Sequence, residues 1–380
     1  MGLQVGSQQG GPGVVQPNGQ PGTATWFAIL LAWILMAGVS VGTITGRAPI
    51  TRQPAATASR RPPPWDAVTL VFGGDVHFES WLRDRVLADP DDALDDMAPL
   101  FADADLSVVN LETAVTTRGT RAPKQHTFRA PAEGLTALAA AGVEVVSIAN
   151  NHGMDFGEVG LDDTLEAAAA ADVDVVGGGM TEAAAYAPHR TTISGRRIAV
   201  FGATQVLDTF ALDAWSPGPQ RAGLASAKST RAGLRHLLAG VRRASTVDDT
   251  VVVVLHWGQE RRQCPLPRQR RLARRLVDAG ADVIVGGHAH RVGPGGFLGD
   301  AVVHYGLGNL VFYISDGPGT ASGALAVTIA PDDATTLQWR PAALRDGVAA
   351  PLDGARRAGA LDAWRALRSC TALTAAAGAG

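Results

Sequence analysis

Short apolar runs rich in valine recur through this chain, and each stops at a polar cluster. VTLVFGG precedes Asp75, LSVVN precedes Glu112, VEVVSIA precedes Asn150, TVVVVL precedes His256 and ADVIVGG precedes His288. Uninterrupted β-branched runs are the mark of strands buried on both faces. Stretches of helical character, several of them alanine-rich, lie between them, including one around Trp81 to Leu87 and one from about Ser229 to Ala244. Strand and helix in alternation predict an α/β domain starting at about Ala67, with its functional groups at strand ends. A chain of 380 residues has room to bury such a core.

The side chains at those ends share a chemistry. Asp75 and His77 stand two apart, as do Asn110 and Glu112, so in an extended segment each pair leaves on one face. Asn150, Asn151, His152 and Asp155 follow the third run, His256 and Glu260 the fourth, and His288 and His290 the fifth. Imidazole together with carboxylate suits zinc, manganese or iron, whereas calcium and magnesium prefer oxygen alone. A carboxylate such as Glu112 can bridge two ions, which together clamp an anionic group and activate water. Each motif also has a plain structural explanation. A lone histidine after a strand is commonly a hydrogen-bonded structural residue, Asp75 can cap the next helix, and Gly286-Gly287 can be turn chemistry. Five such motifs at strand ends favour the metal.

The order GDVH, NLE, ANNHGMDFGEVGLDDT, HWGQE, GADVIVGGHAH and YGLGNLVF, from about Val68 to Phe312, resembles the CapA capsule-synthesis family. KQHTFRAP, from Lys124 to Pro131, is similar to the family's segment before the ANNH motif. That family is associated with poly-γ-glutamate capsules and has the calcineurin-like metallophosphoesterase fold, so the resemblance implies a four-layer α/β/β/α sandwich over 67–345. It implies two divalent ions. Asp75, His77, Glu112 and His290 would surround the first, and Glu112, Asn151, His256 and His288 the second. His152 would face the substrate as general acid or hydrogen-bond donor, oriented by Asp155. Asn110 and Asn150 would lie in the substrate region, Asn150 also shaping the turn. Three departures stand out: many relatives have no ligand at the position of His77, Glu112 is longer than the usual bridging aspartate, and Asp155 lies three residues beyond His152 where an adjacent acid is customary.

Arg261, Arg262, Arg268, Arg270, Arg271, Arg274 and Arg275 follow HWGQE. Most read as the solvated face of a helix whose Leu272 and Leu276 point inward at i, i+4 spacing. Arg261 and Arg262, nearest His256, are candidates to attract an anionic polymer or phosphorylated substrate. A net charge of -3 gives no sign of a nucleic-acid binder. Cys264 and Cys370 match no metal or redox spacing, leaving them free, or paired if the domain is exported.

Residues 1–24 are Gly, Gln and Pro rich and uncharged, the composition of a disordered tail. Residues 25–45 include WFAILLAWILMAGVSVGTI, long enough for one transmembrane helix. Residues 46–66 read as a Pro/Arg linker, and 346–380 as a short helix near Leu361 to Leu367 with an Ala/Gly tail. Arginines flank the C-terminal side of the apolar run, which by charge alone keeps the domain cytoplasmic. Family habit places it outside the membrane, and that orientation is the one expected. The functional readings are a membrane-anchored capsule-polymer factor working with other membrane-bound synthesis components, a phosphoesterase unrelated to capsule, and a non-catalytic assembly factor.

Overall fold

The computed structural model describes residues 66–228 and 232–378. The expected tail and membrane anchor, and all but the end of the linker, lie outside the described residues. Among the described residues, no helix is long and apolar enough to cross a membrane.

The valine-rich runs become neighbouring strands of two sheets. In the larger, of eight strands, Val68–Val76, Leu106–Leu111, Val145–Ser147 and Asp174–Val176 lie side by side and parallel. On the other side of Val68–Val76 come Ala321–Ile329, Thr335–Arg345 and Val348–Pro351, each antiparallel to the one before. Asn309–Val311 pairs with Val348–Pro351 and also with the end of Val68–Val76. The second sheet has six strands, and its centre is the parallel set Arg196–Thr204, Thr250–His256, Val283–Gly287 and Ala301–His304. His189–Ile193 and Gly295–Leu298 close its edges antiparallel.

The two-residue period of each strand sorts its side chains between two cores. Leu70, Phe72, Val108 and Val145 of the first sheet share one apolar cluster with Val200, Val252, Val254, Val283 and Val285 of the second. Their sequence neighbours Val71, Val109 and Val146 cluster with Leu82, Leu135 and Leu161 from the helices Trp81–Ala88, Glu133–Ala140 and Gly157–Ala170. Phe201, Val253 and Ile284 meet Leu237, Val241, Leu272 and Leu276 from Gly233–Ala244 and the arginine-rich Pro267–Val277. The result is a mixed α/β sandwich, each buried aliphatic side chain contributing about 1.5–3 kcal/mol. Leu272 and Leu276 face inward at the spacing read from the sequence.

Beyond residue 345 the chain continues the domain. Val348–Pro351 is a strand of the larger sheet, and the terminal helix, Gly354–Ala366, begins well before Leu361. GARRAGALDAWRA carries Gly354 and Gly359, which propensity alone counts against a helix, yet Trp364 is buried against Trp339 and His304. Cys264 and Cys370 are disulfide-bonded, tying this end to the segment after His256, with Cα atoms 5.9 Å apart.

His304 accepts a hydrogen bond on Nε2 from Trp364 Nε1 at 3.0 Å, and burial pushes its pKa down to about 3. The ring is neutral in the fold but titrates near 6.5 when unfolded, so its contribution is complete above pH 6.5 and is lost as pH falls towards 3. Between pH 7.5 and 4.5 this amounts to about 2–3 kcal/mol. Urea denaturation at the two pH values should show His304→Phe losing less stability on acidification than wild type, by roughly that amount. Equal losses would remove His304 from the account.

Candidate metal centre

The polar strand ends of both sheets converge. The register of Val68–Val76 against Leu106–Leu111 shifts between Phe72 and Asp75, the kind of irregularity that re-aims a side chain. Asp75 then pairs across the strands with Asn110, whose Nδ2 donates to Asp75 Oδ1 at 2.8 Å. The same Nδ2 lies 3.1 Å from His256 Nδ1, while Asn110 Oδ1 accepts from Asn150 Nδ2 at 3.1 Å. Asn150 Oδ1 in turn accepts the His152 backbone N–H at 2.9 Å. Both asparagines are buried, and their amides bind this framework together.

Glu112 is the centre of the arrangement. It is fully buried, and neither carboxylate oxygen has a hydrogen-bond partner. Oε1 lies 3.3 Å from His256 Nε2. Two groups of side chains share it, Glu112 with His256 and His288, and Asp75 with Glu112 and His290. Within each group the ligand atoms lie within 4.8 Å of one another. Buried, unsatisfied carboxylates are costly unless a cation meets them, so these donors fit a metal ion. Asn151 Oδ1 is 2.7 Å from His256 Nε2, at the same place. His77 is buried nearby against Phe128, Phe312 and Tyr313 with Nε2 lacking a partner, but it stands outside both groups.

The electrostatics follow from burying acids beside imidazoles. Burial raises the pKa of Asp75 and Glu112, but His290 and His256 respectively outweigh it and hold both below their usual values. Burial likewise lowers His290, yet Glu112 and Asp75 bring it up to about 9. Asp75 Oδ2 and Asn309 Oδ1 both lie near His290 Nδ1, at 3.3 and 2.8 Å, which leaves Nε2 for another partner. Burial holds His77 and His288 neutral.

At the other side, His152 Nδ1 lies 2.6 Å from Asp155 Oδ2, which also accepts the Phe128 backbone N–H at 2.7 Å. Lys124 Nζ is 2.6 Å from Asp155 Oδ1, 3.3 Å from His152 Nδ1 and bonded to the Asn151 carbonyl. Burial pushes the pKa of His152 down to about 3 against the pull of Glu112, with Lys124 adding to the effect, so at neutral pH the imidazole is uncharged. Lys124 and Asn309 were not singled out from the sequence. The signals available for the first were its place at the head of KQHTFRAP and its rarity, since Lys124 and Lys228 are the only lysines among 33 basic residues.

Arg261, at φ 64, donates its backbone N–H to Ala289 O at 2.8 Å. With Gly258, Gln259, Glu260 and His288 it lines a shallow depression of about 440 Å³. Arg262 is exposed and is not part of that lining.

His288 and His290 both occupy left-handed backbone, at φ 85 and 51, a conformation that costs non-glycine residues energy. Gly287 lets the loop approach Asp75: a Cβ there would lie 2.2 Å from Asp75 Oδ1. Gly287→Ala must push Asp75 or His288 aside. It should lower stability by about 2 kcal/mol or more and weaken manganese binding, read by thermal denaturation and calorimetric titration. A variant matching wild type in both would show that the loop has room to spare.

The profile of the bacterial capsule synthesis protein PGA_cap family matches residues 69–314, more than half of the chain. The PGA biosynthesis protein CapA of Bacillus subtilis (strain 168) is 32% identical over 65% of this chain and 64% of its own. The capsule biosynthesis protein CapA of Bacillus anthracis is 35% identical over 50% of this chain and 46% of its own. The chain thus spans about half to just under two thirds of these curated relatives. Among solved structures, a putative 5'-nucleotidase from Staphylococcus aureus aligns with a TM-score of 0.42 at 12% identity, over 79% of this chain and 58% of that one. On the strength of the profile match, this chain belongs to the bacterial capsule synthesis protein PGA_cap family.

Proposed function

We propose that this protein acts in the biosynthesis of a poly-γ-glutamate capsule or cell-envelope polymer, as a metal-dependent hydrolase whose two-ion site handles an anionic substrate. The observation that carries the reading is Glu112, buried, without hydrogen-bond partners and common to two ligand groups. The names of its relatives supply the polymer. The three apolar clusters agree with a four-layer α/β/β/α arrangement of metallophosphoesterase type.

Asp75, Glu112 and His290 would hold one divalent ion, with His77 beside them. Glu112, His256, His288 and Asn151 would hold the other. Manganese, zinc and iron all suit imidazole and carboxylate donors. Bound there, such ions would draw negative charge to the site and make water more acidic. This chain's own residues do the rest. Asn110 fixes Asp75 and His256. Asp155 orients His152 through Nδ1, leaving Nε2 towards the substrate. Because its ring is neutral, His152 serves first as a hydrogen-bond acceptor for water, and passes on a proton only after taking one. Arg261 and Arg262 attract the polymer's carboxylates.

Full-length protein loaded with manganese or zinc should bind two equivalents and cleave an aryl phosphate or shorten poly-γ-glutamate. His152→Ala should lower turnover about 10²-fold or more with metal content unchanged. Turnover of the phosphate alone would favour a phosphoesterase unrelated to capsule. Absence of both metal and turnover would leave the assembly-factor reading.

We further propose a single-pass membrane protein with its sandwich outside the cytoplasm, beside other membrane-bound components of polymer synthesis. The Cys264–Cys370 disulfide supports this, because such bonds persist in oxidising compartments. Protease added to intact cells should digest the domain. Digestion only after lysis would reverse the orientation.

A further inference from the structure

We infer that Lys124 is a positioning residue of this site, one ammonium group that holds Asn151 and the His152–Asp155 pair in register with the metal-ligand cluster. The inference rests on the hydrolase reading above but has an arm that does not need turnover.

Lys124 lies in the segment between the short strands Ala114–Val115 and Arg129–Ala130. That segment is laced to the loop after Val145–Ser147: Ala122 N–H donates to the Asp155 carbonyl at 2.8 Å, and Phe128 N–H donates to Asp155 Oδ2 at 2.7 Å. Between these ties the lysine side chain is only 9% exposed, and the carboxylate it meets is fully buried. Nζ also sits 5.3 Å from the centre of the Trp215 ring, so the stem and head are enclosed.

Asn151 is thereby held at both ends. Its side-chain Oδ1 faces His256 Nε2 at 2.7 Å, while its backbone carbonyl accepts from Lys124 Nζ. Asp155 is likewise divided, with Oδ1 facing Lys124 and Oδ2 facing His152 and Phe128. Take the ammonium away and the carbonyl and Oδ1 lose their shared partner, so both side chains that look into the centre lose an anchor. The residue type agrees. Among 33 basic residues, nearly all arginine, a lysine stands here, and its compact head with rotatable donors suits a gap between a carbonyl and a carboxylate better than a planar guanidinium.

The test uses full-length protein with manganese, wild type against Lys124→Met and Lys124→Ala. We expect kcat to fall about 10- to 100-fold in both, as when outer partners of metal ligands are removed, with KM within about threefold. Manganese affinity should weaken by up to about tenfold at unchanged stoichiometry. Ethylammonium should restore saturably both kcat and manganese affinity to Lys124→Ala, a response that a general packing defect would not give. If Lys124→Ala does not fold, Lys124→Gln takes its place, and turnover within threefold of wild type would show that the charge is not needed. Manganese affinity and kcat within threefold of wild type in Lys124→Met would overturn the inference, as would losses in Lys124→Ala that ethylammonium cannot reverse. A wild type without turnover on any substrate would instead remove the hydrolase reading, and the manganese arm would still decide the role of Lys124.

Discussion

Two carboxylates buried side by side, Asp75 and Glu112, set the terms for everything around them. Removing such charges from water is expensive, and two of like sign in one place are worse, so the fold must supply positive charge close by. It does so with His290, whose pKa Glu112 and Asp75 bring up to about 9, and it sets His256 and His288 of the second sheet beside them as further donors. The sandwich is therefore joined across its middle by more than apolar contact. Sheet one brings the acids and sheet two brings most of the imidazoles.

The surrounding detail serves that encounter. Gly287 removes the side chain that would collide with Asp75, and the next residues accept left-handed backbone to turn His288 and His290 inward. Asn110 acts as a spacer between Asp75 and His256, and Asn309 as a stay for His290. None of these touches is needed for an α/β sandwich as such. Strain and glycine of this kind mark places where local preference yields to a functional demand.

Much of this was legible in the sequence, because strand ends announce themselves. The valine runs located Asp75, Glu112, His256, His288 and His290 at their ends. Other features were not legible. The role of Asn110 depends on its cross-strand register with Asp75, which includes a shift that no period predicts. Lys124 reaches its partners from a separate loop. Gly354–Ala366 was foreshortened because its glycines weigh against a helix, while the burial of Trp364 that favours one is a tertiary fact. The Cys264–Cys370 bond joins residues 106 apart, a distance at which spacing gives no guidance.

The sharing of Glu112 between two ligand groups has a thermodynamic corollary. Whatever neutralises this carboxylate from one side diminishes what it offers to the other, so the two positions cannot be filled as independent events. Linkage makes the penalty mutual: the amount by which the first occupant discourages the second equals the amount by which the second would discourage the first. Were two cations to fill these positions, the first would be the tightly held resident and the second the more exchangeable companion, even where the donor atoms on the two sides are alike.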